Sequence, residues 1–249
     1  MPAPEARSGA AGPQPSPSNS GRGPRGTVGL LALLLAQIAF GLLAMTICLP
    51  SMPDWGGQFG ADTARVQLSF SAYVLAYGVL QLFYGPLSDR HGRKRVLMAG
   101  LGLAALGSLA AAAAPTLSWL VLARAVQGAG TAAGMVIGRA MVQDLFHGSQ
   151  RTRVMAYVGM VMGLCPPVAI LAGGQLHVLL GWRWNFLLIA ALALVLAFTS
   201  WRRLPDLRPT TTSDAHWLQH MLQAYARLSR ETAFLRYVGI IAMTSASFY

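Results

Sequence analysis

The residues best suited to chemistry lie together in one charged stretch, Gly85–Arg95. It holds one carboxylate, Asp89, and four Lys or Arg side chains, whereas long runs on both sides carry no charge. An acid near a helix start can accept hydrogen bonds from free N–H groups, and a basic run can bind anionic lipid head groups. We therefore predict a functional turn whose working residues are Gly85, Asp89, Arg90, Gly92, Arg93 and Lys94.

Two glycines give this stretch its predicted shape. Gly85 has no Cβ, so a helix end at this position can approach a neighbouring helix closely. Gly92 permits a sharp reversal of the chain. The alternative is a loop that is basic only because it orients the protein in a membrane, although orientation alone requires neither the glycines nor the acid.

A second polar group is embedded in an apolar segment that begins near residue 117. Arg124 lies about 7 residues into that segment, or roughly 10 Å deep in a helix. A guanidinium keeps its proton and is costly at that depth unless a cavity or partner receives it. Gln127 extends the same face, so we predict a coupling or substrate role for both residues. The alternative is that Arg124 reaches back to the surface.

Aromatic and amide side chains recur in the second apolar segment. Tyr73, Tyr77 and Gln81 follow one another at steps of four, so a helix places them on one face. Such a face suits flat, apolar drugs with a few polar atoms. Hydrogen bonds between packed helices explain the same pattern equally well, and both explanations stay open.

The fifth apolar segment combines small residues with prolines that interrupt helical hydrogen bonding. A bent, glycine-lined helix can rock against a partner, and a kinked helix with only a structural role is the alternative. The residues concerned are Gly159, Gly163, Pro166, Pro167, Gly173 and Gly174.

The elements that must position these residues are membrane-spanning helices. Of the 249 residues, 54% are hydrophobic and 11% are charged, whereas about a quarter are charged in soluble domains. Apolar runs of this length predict an all-α membrane protein and not a closed barrel. We place the spans at about 28–50, 66–85, 96–114, 117–142, 154–179 and 182–200.

Lys and Arg set the predicted orientation. Fifteen of the nineteen lie in the first 26 residues or in 85–95, 143–153 and 201–236, and only two lie in the opposite loops. The positive-inside rule therefore predicts a cytoplasmic N-terminus. Because the net charge of +11 serves orientation, we expect no nucleic-acid partner.

The predicted organisation has four parts. They are a disordered cytoplasmic tail at 1–26, a bundle of six helices at 27–200, a cytoplasmic linker with an amphipathic helix at 201–236, and a truncated seventh membrane segment at 237–249. His216 and His220 of the linker could bind a metal, but two exposed histidines on a surface helix are the favoured interpretation. Cys48 and Cys165 show no paired spacing. We therefore expect no metal, disulfide or cofactor.

Three of these motifs resemble the major facilitator superfamily. The charged stretch is similar to its signature G-x-L-x-D-R-x-G-R-K/R-x between the second and third helices. Arg124 and Gln127 resemble its fourth-helix motif R-x-x-Q-G, and the fifth segment resembles its antiporter signature. Leu49–Pro53, Gly138–Phe146 and Gly181–Phe186 are similar to the bicyclomycin-resistance (Bcr/CflA) branch of drug:proton antiporters. The resemblance covers about residues 30–200.

The resemblance implies a fold and a set of roles. The fold would be the six-helix N-terminal half of a twelve-helix transporter, followed by the start of helix 7. The charged stretch would act as a cytoplasmic latch, and Arg124 would take part in proton or substrate coupling. The bicyclomycin-resistance branch commonly carries an acid in the first helix, at the position that is Thr46 here.

We therefore expect a truncated drug exporter, not an enzyme, that works by proton antiport across the inner (plasma) membrane. Its partners would be drug-like small molecules, protons, the lipid bilayer and the missing C-terminal half. The alternative is a non-transporting remnant or half-transporter that only packs with a partner. Five further spans after Tyr249 would decide for the transporter.

Overall fold

The computed structural model describes residues 24–205 and, beyond them, only 227, 231, 236, 239, 240 and 243. Side chains are described from Val28 onward. Most of the predicted tail, the amphipathic linker helix with His216 and His220, and most of the seventh segment lie outside these residues. The predictions made for them remain predictions.

Residues 24–205 form helices joined by short turns and contain no strand. Six membrane-length apolar helical segments lie in this part of the chain, which confirms the predicted all-α membrane fold. A short 3-10 turn at Leu49–Ser51 separates α1 from α2. The helices are α1 Pro24–Thr46, α2 Met52–Phe59, α3 Thr63–His91, α4 Arg93–Ala112, α5 Leu117–Leu145, α6 Gly148–Leu180 and α7 Arg183–Arg203.

Local sequence explains where these helices begin and end. Pro50 and Pro53 lack the N–H that a continuing helix would need, so α1 stops at Thr46 and a separate short helix follows. Asp62 caps α3 by accepting a hydrogen bond from the Arg65 N–H at 2.8 Å. The prediction of one span at 28–50 missed α2, which extends the first spanning segment to Phe59.

The helices alternate in direction, so the bundle has two ends. The basic end carries the α3–α4 and α5–α6 junctions and the last turn of α7. The opposite end, which we call the α2 end, carries α2 and the α4–α5 and α6–α7 junctions. The two ends correspond to the two sets of loops that differ in their number of Lys and Arg residues.

Helix α5 forms the centre of the bundle and packs along α1, α3 and α4. Glycines allow this close approach, because a Cβ on Gly130 would overlap the backbone of Ala104 and a Cβ on Gly134 would lie 2.5 Å from Gln37 O. These glycines therefore form a packing surface of α5. Helix α6 packs mainly on α1 and touches α5 little.

The α2 end has an apolar cluster of its own, distinct from the main core. Trp55 of α2 is fully buried, with its ring centroid 5.6 Å from that of Trp182 and 6.2 Å from that of Phe186. Edge-to-face and offset aromatic contacts of this kind add to the stabilisation from buried area. They fix α2 against the start of α7.

Candidate functional site

The charged stretch forms an ion cluster at the basic end. The guanidinium of Arg93 lies between two carboxylates: its Nε is 2.7 Å from Asp144 Oδ2, and its Nη2 is 3.3 Å from Asp89 Oδ1. Nη2 also donates to Asp144 Oδ1 at 3.4 Å. Because the three residues belong to α4, α5 and α3, one side chain joins the ends of three spans.

The backbone of the stretch differs in part from the expected turn. Helix α3 continues through Asp89 to His91, so Gly92 alone makes the reversal, and it does so with a φ of 91°. This left-handed conformation favours glycine, as predicted. Gly92 is also the N-cap of α4 and offers no side-chain cap. Asp89 therefore lies in the last turn of α3, where it pairs with the Arg93 side chain and does not cap α4.

The other members of the stretch lie around this cluster. Arg90 is in the last turn of α3 and Lys94 in the first turn of α4, and both are half-buried. A Cβ on Gly85 would meet no atom of the described residues within 4 Å. Packing within this part of the chain therefore gives no reason for Gly85. Asp144 was not predicted as a partner, because it lies 51 residues from Arg93.

Arg124 is fully buried in the middle of the bundle. Its Nη1 donates to Ala44 O at 2.9 Å and to Gln127 Oε1 at 2.6 Å, and its Nη2 donates to Met45 O at 3.3 Å. These carbonyls belong to the last turn of α1, and the C-terminal end of a helix attracts positive charge. The guanidinium also lies over the Tyr73 ring, 4.2 Å from its centroid.

A chain of buried hydrogen bonds extends from Arg124 across the bundle. Gln127 Nε2 donates to Ser108 Oγ at 2.8 Å, which connects α5 to α4. Tyr73 Oη donates to Gly41 O at 2.7 Å and lies 2.6 Å from Thr131 Oγ1, which connects α3 to α1 and α5. Arg124 Nε has no partner among the described residues. The structure thus brings Arg124, Gln127 and Tyr73 into one network.

The predicted face of Tyr73, Tyr77 and Gln81 is only partly open. Tyr73 and Tyr77 are buried and stack with ring centroids 5.9 Å apart, whereas Gln81 is half-buried. Tyr77 packs against Gly41, and its hydroxyl lacks a partner within the described part of the chain. Packing explains Tyr73, and a substrate role for Tyr77 and Gln81 stays a prediction.

Helix α6 runs unbroken through Pro166 and Pro167. The six residues of its predicted antiporter motif lie in different surroundings. Gly173 packs tightly on Ile47 O, and Gly174 faces Pro50. Gly159 and Gly163 face open space, with no described atom within 4 Å of where a Cβ would be. Only the part of the motif after the prolines is used for packing in this bundle.

The centre of the described bundle contains no carboxylate, and Thr46 occupies the first-helix position where the resemblance implies an acid. Thr46 is buried, and its hydroxyl donates to Leu42 O at 2.9 Å within its own helix. The acids of residues 24–205 are Asp54, Asp62, Asp89 and Asp144, all at helix ends. Among the described residues, no group of three His, Cys, Asp or Glu side chains could hold a metal ion.

Comparison with known proteins assigns this arrangement to a family. The sequence model of the Major Facilitator Superfamily matches residues 30–249. The chain belongs to this superfamily. The predicted membership of this superfamily is thereby confirmed, as is the N-terminal half of its fold.

Several relatives within the Major Facilitator Superfamily are named for drug resistance. Multidrug resistance protein D of Escherichia coli is 33% identical over 211 residues, which are 85% of this chain and 52% of that protein. The chloramphenicol resistance protein of Pseudomonas aeruginosa is 31% identical, over 78% of this chain and 47% of that protein. A puromycin resistance protein of Streptomyces alboniger is 37% identical, over 80% and 39%. The chain spans about half the length of these relatives.

Proposed function

We propose that the chain is the N-terminal half of a drug exporter that works by proton antiport across the inner (plasma) membrane. The observation that carries the proposal is the ion cluster in which Arg93 joins Asp89 and Asp144 at the ends of three spans. In alternating access, the two halves of a transporter rock around a central site. An exchangeable ion cluster at one end of a bundle suits a latch for that motion. Transport then requires a second six-helix unit.

The buried network supports a role in coupling. Arg124, Gln127 and Tyr73 connect α1, α3, α4 and α5 through side-chain hydrogen bonds, so displacement of one helix changes contacts on the others. Tyr77 and Gln81 are our candidates for contact with a drug-like substrate. Helix α6, with Gly159, Gly163, Pro166 and Pro167, is the candidate for the moving element in antiport.

The proposed orientation places the basic end and the N-terminus in the cytoplasm. Arg90, Arg93, Lys94 and Arg95 lie at this end, whereas Arg65 and Arg183 are at the α2 end. Positive residues are retained on the cytoplasmic side. A cysteine that replaces Arg95 should be shielded from an impermeant thiol reagent in intact cells, and one that replaces Asp62 should react. The reverse result would overturn the orientation.

An export assay tests the function. The chain is expressed in efflux-deficient bacteria, alone and together with the C-terminal half of multidrug resistance protein D, and dye retention is measured. We expect export only with both halves. Asp89→Asn should then reduce the export rate about tenfold, the equivalent of one charge-assisted pair. Asp62→Asn is the matched control, because asparagine is also a good helix cap.

The outcomes separate the proposal from its alternative. Wild-type export by Asp89→Asn at matched expression would remove the latch role. Export by the 249-residue chain alone would indicate a dimer of halves. A non-transporting protein that only packs with a partner is the second candidate. It is favoured by the exposure of two helices, since only 22% of the most apolar 18 residues of α3 and 17% of those of α6 are buried in the described bundle. Co-purification of the two halves without any export would favour it.

A further inference from the structure

Three helices meet at the α2 end around one face of α6. Gly173 of α6 lies directly against Ile47 O, just after α1 ends. Asn185 of α7 is fully buried, and its Nδ2 donates to Ser51 Oγ at 3.1 Å and to Gly173 O at 3.3 Å. Here α6 is fixed to the α1–α2 segment and to α7.

His177 follows Gly173 by four residues and so lies on the same face of α6. Its Nε2 is 2.8 Å from Asp54 Oδ2 in the first turn of α2. The imidazole is 18% exposed and the carboxylate 58% exposed, and His177 lies in the last turn of α6. His177 Nδ1 is buried and has no partner among the described residues. Neither the latch nor the Arg124 network uses this pair.

We propose that His177 and Asp54 form a proton-binding clamp that fastens the α2 end of α6 to α2. When the imidazole is neutral, its Nε2–H donates a single bond to the carboxylate. When it binds a proton, the same contact becomes a charge-assisted ion pair, which is stronger. Nδ1 is an unpaired acceptor in the neutral state and an unpaired buried donor in the protonated state, which offsets part of this gain.

Protonation therefore holds α6 against α2 more tightly, and the extra attraction is lost as the proton leaves. In the proposed orientation the α2 end faces the outside of the cell. The clamp would therefore tighten when the external medium is acidic. It does not depend on the proposed export function, because it needs only the contacts within this bundle.

Other charged or titratable groups near this end are already engaged. Arg183 of α7 donates to Ala114 O at 3.3 Å and lies over the Trp182 ring. Cys48, between α1 and α2, is buried with its thiol towards Met45 O. Arg124 of α5 binds the last carbonyls of α1, and Asp62 caps α3 with Arg65 close behind it. Among the described contacts, Asp54 is the ionic partner of His177.

The location of the clamp gives it leverage over α6. A Cβ on Gly159 or Gly163, on the other side of Pro166 and Pro167, would meet no described atom within 4 Å. Val154 and Val158 near the start of α6 are buried, and the contacts around Gly173 and His177 attach its other end. Cys48 is buried in the same apolar cluster as Trp55 of α2, so loosening of α2 exposes its thiol and makes it a reporter of the clamp.

The test measures how fast Cys48 reacts with a methanethiosulfonate reagent. The full 249-residue chain is purified in detergent with Cys165→Ser as the parent, and each variant is compared with this parent at pH 5.5 and at pH 8. Ratios taken at one pH cancel the pH dependence of the reagent. His177→Gln and Asp54→Asn remove the ion pair. His147→Gln is the matched control, because His147 is exposed at the opposite end of the same helix.

We expect both clamp variants to react about three to ten times faster than the parent at pH 5.5, the range for one partly exposed charged pair. At pH 8 the ratios should fall towards one, His147→Gln should give a ratio near one at both pH values, and Asp54→Glu should retain protection. Circular dichroism identifies any variant that fails to fold. In that case the Cys48 reaction rates of Asp54→Glu and Asp54→Asn are compared with each other. Equal ratios at the two pH values, or unchanged reactivity in His177→Gln at pH 5.5, would overturn the clamp.

Discussion

Helices α5 and α6 carry similar sequence signals but have opposite surroundings. Both are long, apolar and rich in glycine. Of the most apolar 18 residues of each helix, 67% are buried in α5 and 17% in α6. A Cβ on Gly130 or Gly134 of α5 would overlap the backbone of a neighbouring helix, whereas one on Gly159 or Gly163 of α6 would meet no described atom within 4 Å. A small residue every four positions therefore permits close packing, but it does not show that a partner is present in the same bundle.

The strongest test of this contrast places the same side chain on both helices. Gly130→Val should destabilise the bundle by about 3 kcal/mol or more, because its Cβ would overlap the backbone of Ala104 and a backbone cannot turn aside. Gly163→Val should change stability by less than about 1 kcal/mol, the difference in helix propensity. Thermal unfolding of the purified chain in detergent measures both. Similar losses would mean that α6 packs more closely than described.

The two arginines of α5 give the next largest contrast. Arg124→Met should cost about 2–4 kcal/mol, since it leaves buried carbonyls of α1 and the Gln127 amide oxygen without donors. Arg139 is exposed, and its Nη2 contacts Met162 Sδ of α6. Arg139→Met should change stability by less than about 0.5 kcal/mol. Arg124→Lys should recover part of the loss, because an ammonium keeps the charge but lacks the planar fork. The same unfolding assay applies, and equal losses at the two positions would contradict this account.

The smallest expected difference in stability concerns the basic end. There Asp144 of α5 takes part in the ion cluster, whereas α6 makes no ionic contact among those described at this end. Arg93→Gln removes both ion pairs of a partly exposed cluster and should cost up to about 1 kcal/mol at low salt. Arg95→Gln, at an exposed neighbouring position, is the control. Repeating both at high salt should reduce the difference, because screening weakens exposed pairs. A loss that is independent of salt would indicate packing as the cause.

Sequence predicted the spans well, because each depends on the apolarity of its own residues. It did not predict α2, since two prolines within a short apolar run also fit the end of a single helix. The partner of Arg93 was missed because ion pairs between distant segments leave no local pattern. The partners of Arg124 were missed for a different reason. They are backbone carbonyls exposed by the end of α1, and any residue type could supply them.

The glycines show the same limit in another form. Gly92 was predicted correctly because a reversal within one residue demands a positive φ. Gly85 was predicted to pack closely, yet a Cβ at this position would meet no described atom within 4 Å. Conformation at a single residue can be inferred from its neighbours in sequence. Contact with another helix requires knowledge of which helices lie side by side.

The aromatic cluster at the α2 end gives this protein an intrinsic spectroscopic probe. Trp55 and Trp182 are buried, and their rings lie 5.6 Å apart at 67°. Two indoles this close couple their electronic transitions, which produces a strong near-ultraviolet circular dichroism signal. Trp119, Trp184 and Trp201 are exposed on the bundle surface and contribute no such pair among the described contacts. Movement of α2 away from α7 would therefore be visible as a loss of ellipticity, without any dye attached to the protein.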